Sequence, residues 1–227
     1  MKTRNILLLA STALIIAAFS SCGKGGNSTD DAQEKYGIRF SESSTINKAH
    51  KNVLIISASP RRGGNTDMLC DEFARGAKEA GGNVEKIFLG DYDIKFFSEE
   101  DERHVGDSAD VATDDAPKIV RKMLDADIIV LSSPVYFMNI DGQLKTLIDR
   151  TYSHFMDLKD KEFYYITACA DREESTADFA ITGFRGFVMC LPNPTERGMV
   201  KATGVGAKGG VKHTGYMEEA YKLGKSI

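Results

Sequence analysis

Between Ser59 and Thr66 the chain reads SPRRGGNT, residues suited to holding a phosphate. A phosphate needs several converging N–H donors. Glycine and serine let the backbone approach closely enough to supply them, and a helix opening near Thr66 adds its dipole. Ser57, Ser59, Gly63, Gly64, Asn65 and Thr66 make the loop, and either Arg61 or Arg62 is placed to pair with the phosphate. The same residues also suit an ordinary strand-to-helix turn with solvated arginines, so this segment alone leaves two readings open. A second segment, Pro134, Val135, Tyr136, Phe137, Met138 and Asn139, offers different chemistry. Three large apolar side chains in a surface loop are costly unless they cover something flat, such as an aromatic ring system, with the Asn139 amide at its edge. Packing into a local core or against a second subunit is the other use for Tyr136 to Met138.

Each cluster follows an apolar segment that must position it. Val53–Ile56 and Ile128–Leu131 are β-branched and leucine runs without polar alternation, the pattern of strands buried on both faces of a parallel sheet. A helical pattern follows each of them. Leu69, Phe73 and Ala77 recur every fourth residue up to a stop at Gly81 and Gly82, while Leu144, Leu147, Ile148 and Thr151 recur at i, i+3, i+4 and i+7. Strands are expected near residues 53–58, 84–89, 127–132, 162–169 and 199–205, with helices between and after them. That alternation predicts an α/β fold around five parallel strands, whose ligands bind at the strands' carboxyl ends. A phosphate cradle beside a platform for a flat ring suits flavin mononucleotide (FMN) there.

The SASPRRGGNT loop and the SPVYFMNIDGQLKTLIDR segment resemble the flavodoxin-like, NAD(P)H-dependent FMN reductase and quinone reductase group. The resemblance runs on to GMVKATGVGAKGGVKHTGYMEEAYKLGKSI, similar to that group's last strand, glycine-rich turn and closing helix, and so covers about Asn52 to Ile227. It implies a flavodoxin-like three-layer sandwich with strand order 2-1-3-4-5. By the same resemblance the phosphate loop falls on Ser59, Arg61, Gly64, Asn65 and Thr66, and the flavin-ring loop on Pro134, Val135, Tyr136, Phe137, Met138 and Asn139. A third ring-contacting loop falls around Cys169 to Asp171. FMN is the implied cofactor and NAD(P)H the implied co-substrate, with a small-molecule electron acceptor, no dedicated catalytic side chain and a candidate homodimer.

Iron-sulfur members of that group carry clustered cysteines after the second strand, where this chain reads DIKFFSEEDERHVGD. Cys22, Cys70, Cys169 and Cys190 contain no C-x-x-C and no metal-ligand spacing, so no metal site is expected. Cys70 and Cys190 read as small core residues, and a disulfide between two of the four stays open. Gly204, Gly206 and Gly209 spell G-x-G-x-x-G but follow the last strand, which makes them a turn. His50, His104, His154 and His213 are scattered, and no hydrolase or metalloprotease motif occurs.

The amino-terminal segment stands apart from this pattern. Lys2 and Arg4 precede an apolar run from Ile6 to Phe19, short for a membrane span, and Ser20, Ser21 and Cys22 follow. Residues 1–21 read as a signal peptide and Cys22 as a bacterial lipidation site, although Phe19 is atypical there; cleavage without lipid is the alternative. Residues 22–49 are polar and read as a flexible tether, leaving 50–227 as the flavodoxin-like domain. Loss of Lys2 and Arg4 leaves the rest two charges more acidic than the full chain's −4, which argues against nucleic acid as a partner. The acidic stretch from Asp91 to Asp115 is long for a connection and reads as a solvated insertion, a lid or a dimer element. Export to the cell envelope would separate the protein from cytoplasmic NAD(P)H. Two functions therefore stand side by side: a reductase fed by NAD(P)H or another reductant, and a non-enzymatic electron carrier or flavin-free binding protein tethered at the membrane.

Overall fold

The computed structural model describes residues 39–40, 50–98 and 114–227. In chain order the elements are β1 (Arg39–Phe40), β2 (Asn52–Ser57), α1 (Asn65–Glu79), β3 (Asn83–Phe88), α2 (Ala116–Asp125), β4 (Ile128–Pro134), α3 (Gly142–Asp149), β5 (Glu162–Ala168), α4 (Glu174–Val188), β6 (Thr195–Ala202) and α5 (Tyr216–Lys225). The sheet order is β1-β6-β5-β4-β2-β3, with every pair parallel. Its five longer strands have the expected 2-1-3-4-5 order of a flavodoxin-like fold. β1 adds a short edge pairing to Thr195 and Glu196, from within the 22–49 segment where composition predicts none. Cys22 and residues 1–21 lie outside the described residues, as does His104. Among the described residues no helix is long and apolar enough to cross a membrane.

The apolar runs take the two-sided burial their composition predicts. Leu54, Ile56, Ile129, Leu131, Phe163 and Tyr165 pack on one face of the sheet with Ile119 of α2, Leu144 of α3 and Phe184 of α4. Val53, Ile55, Ile128, Val130, Tyr164 and Ile166 pack on the other with Leu69 and Phe73 of α1 and Ala220 of α5. α1 and α5 cross backbone to backbone: a Cβ on Gly76 would lie 2.1 Å from the Tyr221 carbonyl oxygen, and one on Gly224 would lie 2.1 Å from that of Phe73.

Two expectations need correction. β6 begins at Thr195 and ends at Ala202, not at 199 and 205. Glu196, near the start of the strand, is buried in the bidentate grip of Arg185 from α4, at 2.9 and 2.7 Å. Gly204, at φ +70°, then turns the chain out of the strand. Cys190 is exposed, because α4 ends at Val188 and the following turn carries it to the surface. Cys70 is a core residue as expected, and burial pushes its thiol up to about 12. Cys70, Cys169 and Cys190 are free thiols.

The long acidic connection has a closed neck. The Asp115 N–H donates to the Asp93 carbonyl at 2.8 Å, and the Asp114 carboxylate accepts the Lys95 N–H at 2.8 Å. Arg150, just past α3, pairs with buried Asp114 and donates to the Lys95 carbonyl at 3.2 Å. Residues 99–113, and with them the choice between insertion, lid and dimer element, lie outside the described residues.

Candidate functional site

β2 delivers the chain to the carboxyl edge of the sheet, and the following loop feeds α1. Gly63 takes φ +65°, and a Cβ on Gly64 would lie 2.7 Å from the Arg61 carbonyl oxygen, so the tight loop depends on both glycines. Gly64 caps α1 without a side chain, and the Asn65 and Thr66 N–H groups in the first turn have no intrahelical acceptor. Thr66 is 2% exposed, and its hydroxyl has no protein partner among the described residues. Ser59 Oγ stays inside the loop, donating to the Arg61 carbonyl at 3.2 Å and accepting the Arg61 N–H at 3.3 Å. The Arg61 side chain is exposed and unpaired among the described residues. Arg62 is committed elsewhere: it pairs with Asp91, and its guanidinium lies 4.2 Å from the centre of the Phe88 ring.

Asp67, which the motif does not single out, organises this loop from behind. Its Oδ2 accepts the Gly63 N–H at 2.8 Å, and its Oδ1 accepts the Ser57 hydroxyl at 2.7 Å and pairs with Lys86 of β3 at 2.7 Å. Burial pushes this carboxyl up, but the bonds from Lys86, the Gly63 N–H and Ser57 outweigh burial and hold it below its ordinary value. The sequence does contain a signal for it, since Asp67 stands three residues after the capping Gly64, the spacing of a capping box. Asn65 is used differently from the expectation. Its side-chain NH2 donates to the Val205 and Ala207 carbonyls at 2.6 and 2.8 Å, so its backbone N–H is the group left for a ligand.

The second cluster emerges one strand away, since β4 neighbours β2 with Ser132 opposite Ser57. Pro134 closes β4 opposite Ala168, whose carbonyl accepts the Val135 N–H at 3.0 Å. Tyr136 and Asn139 exchange backbone hydrogen bonds at 2.9 and 3.0 Å. Phe137 and Met138 are thus the central residues of a tight turn, at φ 49° and 62°. Such a turn normally takes Asn-Gly, and a bulky residue there costs on the order of 1–2 kcal/mol. The side chains do not enter a local core: Tyr136 is 41% exposed, Phe137 103% and Met138 49%. Backbone strain and exposed apolar surface coincide at the same residues, the combination found where a surface is held ready for a ligand. The Asn139 side-chain oxygen accepts the Ile140 N–H at 2.8 Å, leaving its NH2 for a ring edge.

The base of this turn is rigid. The Asp141 N–H donates to Ser133 Oγ at 2.8 Å, and Asp141 Oδ1 caps α3 by accepting the Leu144 N–H at 3.0 Å. Its other oxygen is buried without a partner among the described residues, and burial pushes the carboxyl up to about 7. The Cys169–Asp171 loop lies at the same edge, tied to the C-terminal turn by Val205 N–H to the Cys169 carbonyl at 2.8 Å and Gly204 N–H to that of Asp171 at 2.6 Å. The glycine series 204–209 is therefore a turn, with φ +70° at Gly204 and +81° at Gly209.

Residues 51–189 match the sequence pattern described as NADPH-dependent FMN reductase. An iron-sulfur flavoprotein of Archaeoglobus fulgidus is 39% identical over 99 residues, 44% of this chain and 48% of that protein. The chain spans about half the length of the curated relatives it matches. Among solved structures, an azoreductase from Bacillus anthracis superimposes with a TM-score of 0.62 at 18% identity, covering 78% of this chain and 100% of that one. An NAD(P)H:quinone oxidoreductase from Methanothermobacter marburgensis does so at 0.58 and 19%, covering 78% and 96%. These two likenesses establish a shared fold. Among the described residues no group of three His, Cys, Asp or Glu is placed to hold a metal. With the family's pattern running over more than half its length, the chain belongs to the NADPH-dependent FMN reductase family.

Proposed function

We propose that the chain is an FMN-dependent oxidoreductase passing electrons from NAD(P)H, or another reductant, to a quinone-like or other small acceptor. One observation carries this reading. On adjacent parallel strands, a helix start with unoccupied N–H groups stands beside a strained turn of exposed apolar side chains. Both fit FMN: the glycine-lined loop and the unpartnered Thr66 hydroxyl suit its phosphate, and Tyr136, Phe137 and Met138 suit its ring. Bound FMN supplies one- and two-electron chemistry. The chain's own part is positioning. The Asn65 and Thr66 N–H groups and Arg61 bind the phosphate, Tyr136 to Met138 cover a ring face and exclude water, and the Asn139 NH2 donates to the ring edge. The azoreductase and quinone oxidoreductase among the similar folds make azo compounds and quinones the acceptors to try first.

Location favours a second reading. Lys2, Arg4, the Ile6–Phe19 run and Cys22 support export and lipid attachment at the cell envelope, where NAD(P)H is scarce. An envelope-tethered electron carrier, with a reductant other than NAD(P)H, would suit that place. The exposed turn also suits a homodimer contact, which sedimentation of the purified protein tests. To separate the functions, the full chain is purified, any released small molecule is identified by absorbance and mass, and NADH or NADPH oxidation with a quinone is followed. FMN with turnover supports the reductase, and FMN without turnover the carrier. A colourless protein that takes up no added FMN overturns both. Loss of membrane association in Cys22→Ser tests the anchor.

A further inference from the structure

The segment beyond residue 189 brings a lysine to the phosphate loop. Lys208 lies in the turn between β6 and α5, and its Cε and Nζ sit 3.7 and 3.9 Å from where a Cβ on Gly63 would be. Because Gly63 has no side chain, the ammonium rests directly over loop backbone. The turn that carries it is clamped on both sides of Lys208 by one residue of α1. Buried Asn65 donates to the Val205 and Ala207 carbonyls at 2.6 and 2.8 Å, and its oxygen accepts the Val211 N–H at 3.3 Å. Val205 and Val211 are themselves buried, and Gly209 at φ +81° closes the turn.

Charge pairing leaves the same side chain available. Of the cations around the loop, Arg62 is held by Asp91, and Lys86 by Asp67 and Asp71. Lys208, like Arg61, has no ion pair among the described residues. An unpaired ammonium, anchored through a buried amide over the glycine of an anion-binding loop, has a phosphomonoester as its natural complement.

Resting on the phosphate-loop reading above, we propose that Lys208 is a phosphate-binding residue that completes the cradle for the FMN phosphate from outside the 51–189 match. Asn65 is then a positioning residue for it, which explains why that side chain turns away from the loop. The shared chemistry, a phosphomonoester, also occurs at the 2′ position of NADPH, so the test must distinguish the two.

The experiment is a fluorescence titration of the flavin-stripped full chain with FMN and with riboflavin, which lacks only the phosphate. Lys208→Met is expected to lower FMN affinity about tenfold, to leave riboflavin affinity unchanged, and to flatten the salt dependence of FMN binding. Lys208→Arg should recover most of the loss. Unchanged FMN affinity in Lys208→Met overturns the assignment, and if the preference for NADPH over NADH falls at the same time, Lys208 serves the donor's phosphate instead. Equal losses for FMN and riboflavin also overturn it, since they would mean that the side chain supports the fold. Should the wild-type protein bind riboflavin as well as FMN, the phosphate-loop reading fails and the assignment falls with it. That failure is visible before any variant is made.

Discussion

Lys86, on edge strand β3, closes on Asp67 in the first turn of α1 at 2.7 Å, and the same carboxylate holds the Gly63 N–H at 2.8 Å. An ion pair between two elements therefore fixes the loop that would bind phosphate. The arrangement has an electrostatic consequence. A bare carboxylate behind an anion site would repel the ligand, and Lys86 cancels that charge while leaving the carboxylate free to grip the backbone.

Removing the cation should expose the balance. In Lys86→Met the Asp67 carboxylate, only 4% exposed, keeps its N–H and hydroxyl donors but loses its counter-charge. Breaking a buried pair costs 3 kcal/mol or more, and the partial exposure of Lys86 brings the expectation to about 2 kcal/mol at pH 7. The folded protein holds Asp67 below its ordinary value, so the pair's contribution is present above that value and lost as pH falls through the folded one. Urea melts should therefore show wild type and variant converging in acid, once the pH falls through the lowered Asp67 value. A gap that is constant with pH would assign Lys86 a packing role only.

Arg150 predicts a larger effect. It and Asp114 are both buried, and between them they take the Lys95 carbonyl and N–H, closing the neck of the acidic connection. Arg150→Met should cost about 3–5 kcal/mol by denaturant melting, because it strands a buried carboxylate. Asp114→Asn in the same background removes the stranded charge but keeps an acceptor for only one of the Lys95 and Ala116 N–H groups, and should recover part of the loss. If the single variant costs less than about 1 kcal/mol, the neck is held by its backbone bonds instead.

These pairs also mark the limit of what the sequence reveals. The strands at Val53 and Ile128 and the loops after them are legible because their signals are local: unbroken apolar runs, glycines at a tight turn, aromatics with nothing nearby to bury them. Lys86 meets Asp67 across 19 residues and Asn65 meets Val205 across 140, and no periodicity encodes either distance. The early start of β6 is hidden for the same reason, since Glu196 belongs in a strand only once Arg185 arrives from α4. Turn strain is likewise invisible, because Phe137 and Met138 are residues that ordinarily avoid positive φ.

Asp141 should respond to pH in the opposite sense to Asp67. Burial pushes its carboxyl up to about 7, its unpaired oxygen has no cation to meet it among the described residues, and the charged side chains on packed helices are engaged elsewhere: Lys145 with Asp149, Arg185 with Glu196. A raised folded value means that the native state takes up the proton first. Stability from this site is greatest in acid and declines as pH rises from about 4 to about 7. Asp141→Asn keeps the acceptor for the Leu144 N–H and never ionises, so it should be more stable than wild type at pH 8 by about 1–3 kcal/mol and equal to it near pH 4. A variant no more stable at pH 8 would show that the wild-type charge is compensated.

The turn at Phe137 and Met138 should trade stability against binding. Met138 sits at φ 62° with its side chain half in water, so in the free protein it contributes strain and little packing. Met138→Gly removes the left-handed penalty but gives back part of the gain as chain entropy in the unfolded state, for a net rise of about 0.5–1 kcal/mol. If the turn exists to cover a flavin ring, the same change should weaken FMN binding several-fold, and Tyr136→Ala should weaken it as well or slow reductive turnover. Thermal melts of the flavin-free protein beside FMN titrations decide the matter. Higher stability with weaker binding means that the strain is maintained for the ligand. Higher stability with unchanged FMN affinity in both variants would remove this turn from the flavin site and leave its apolar side chains to a subunit contact.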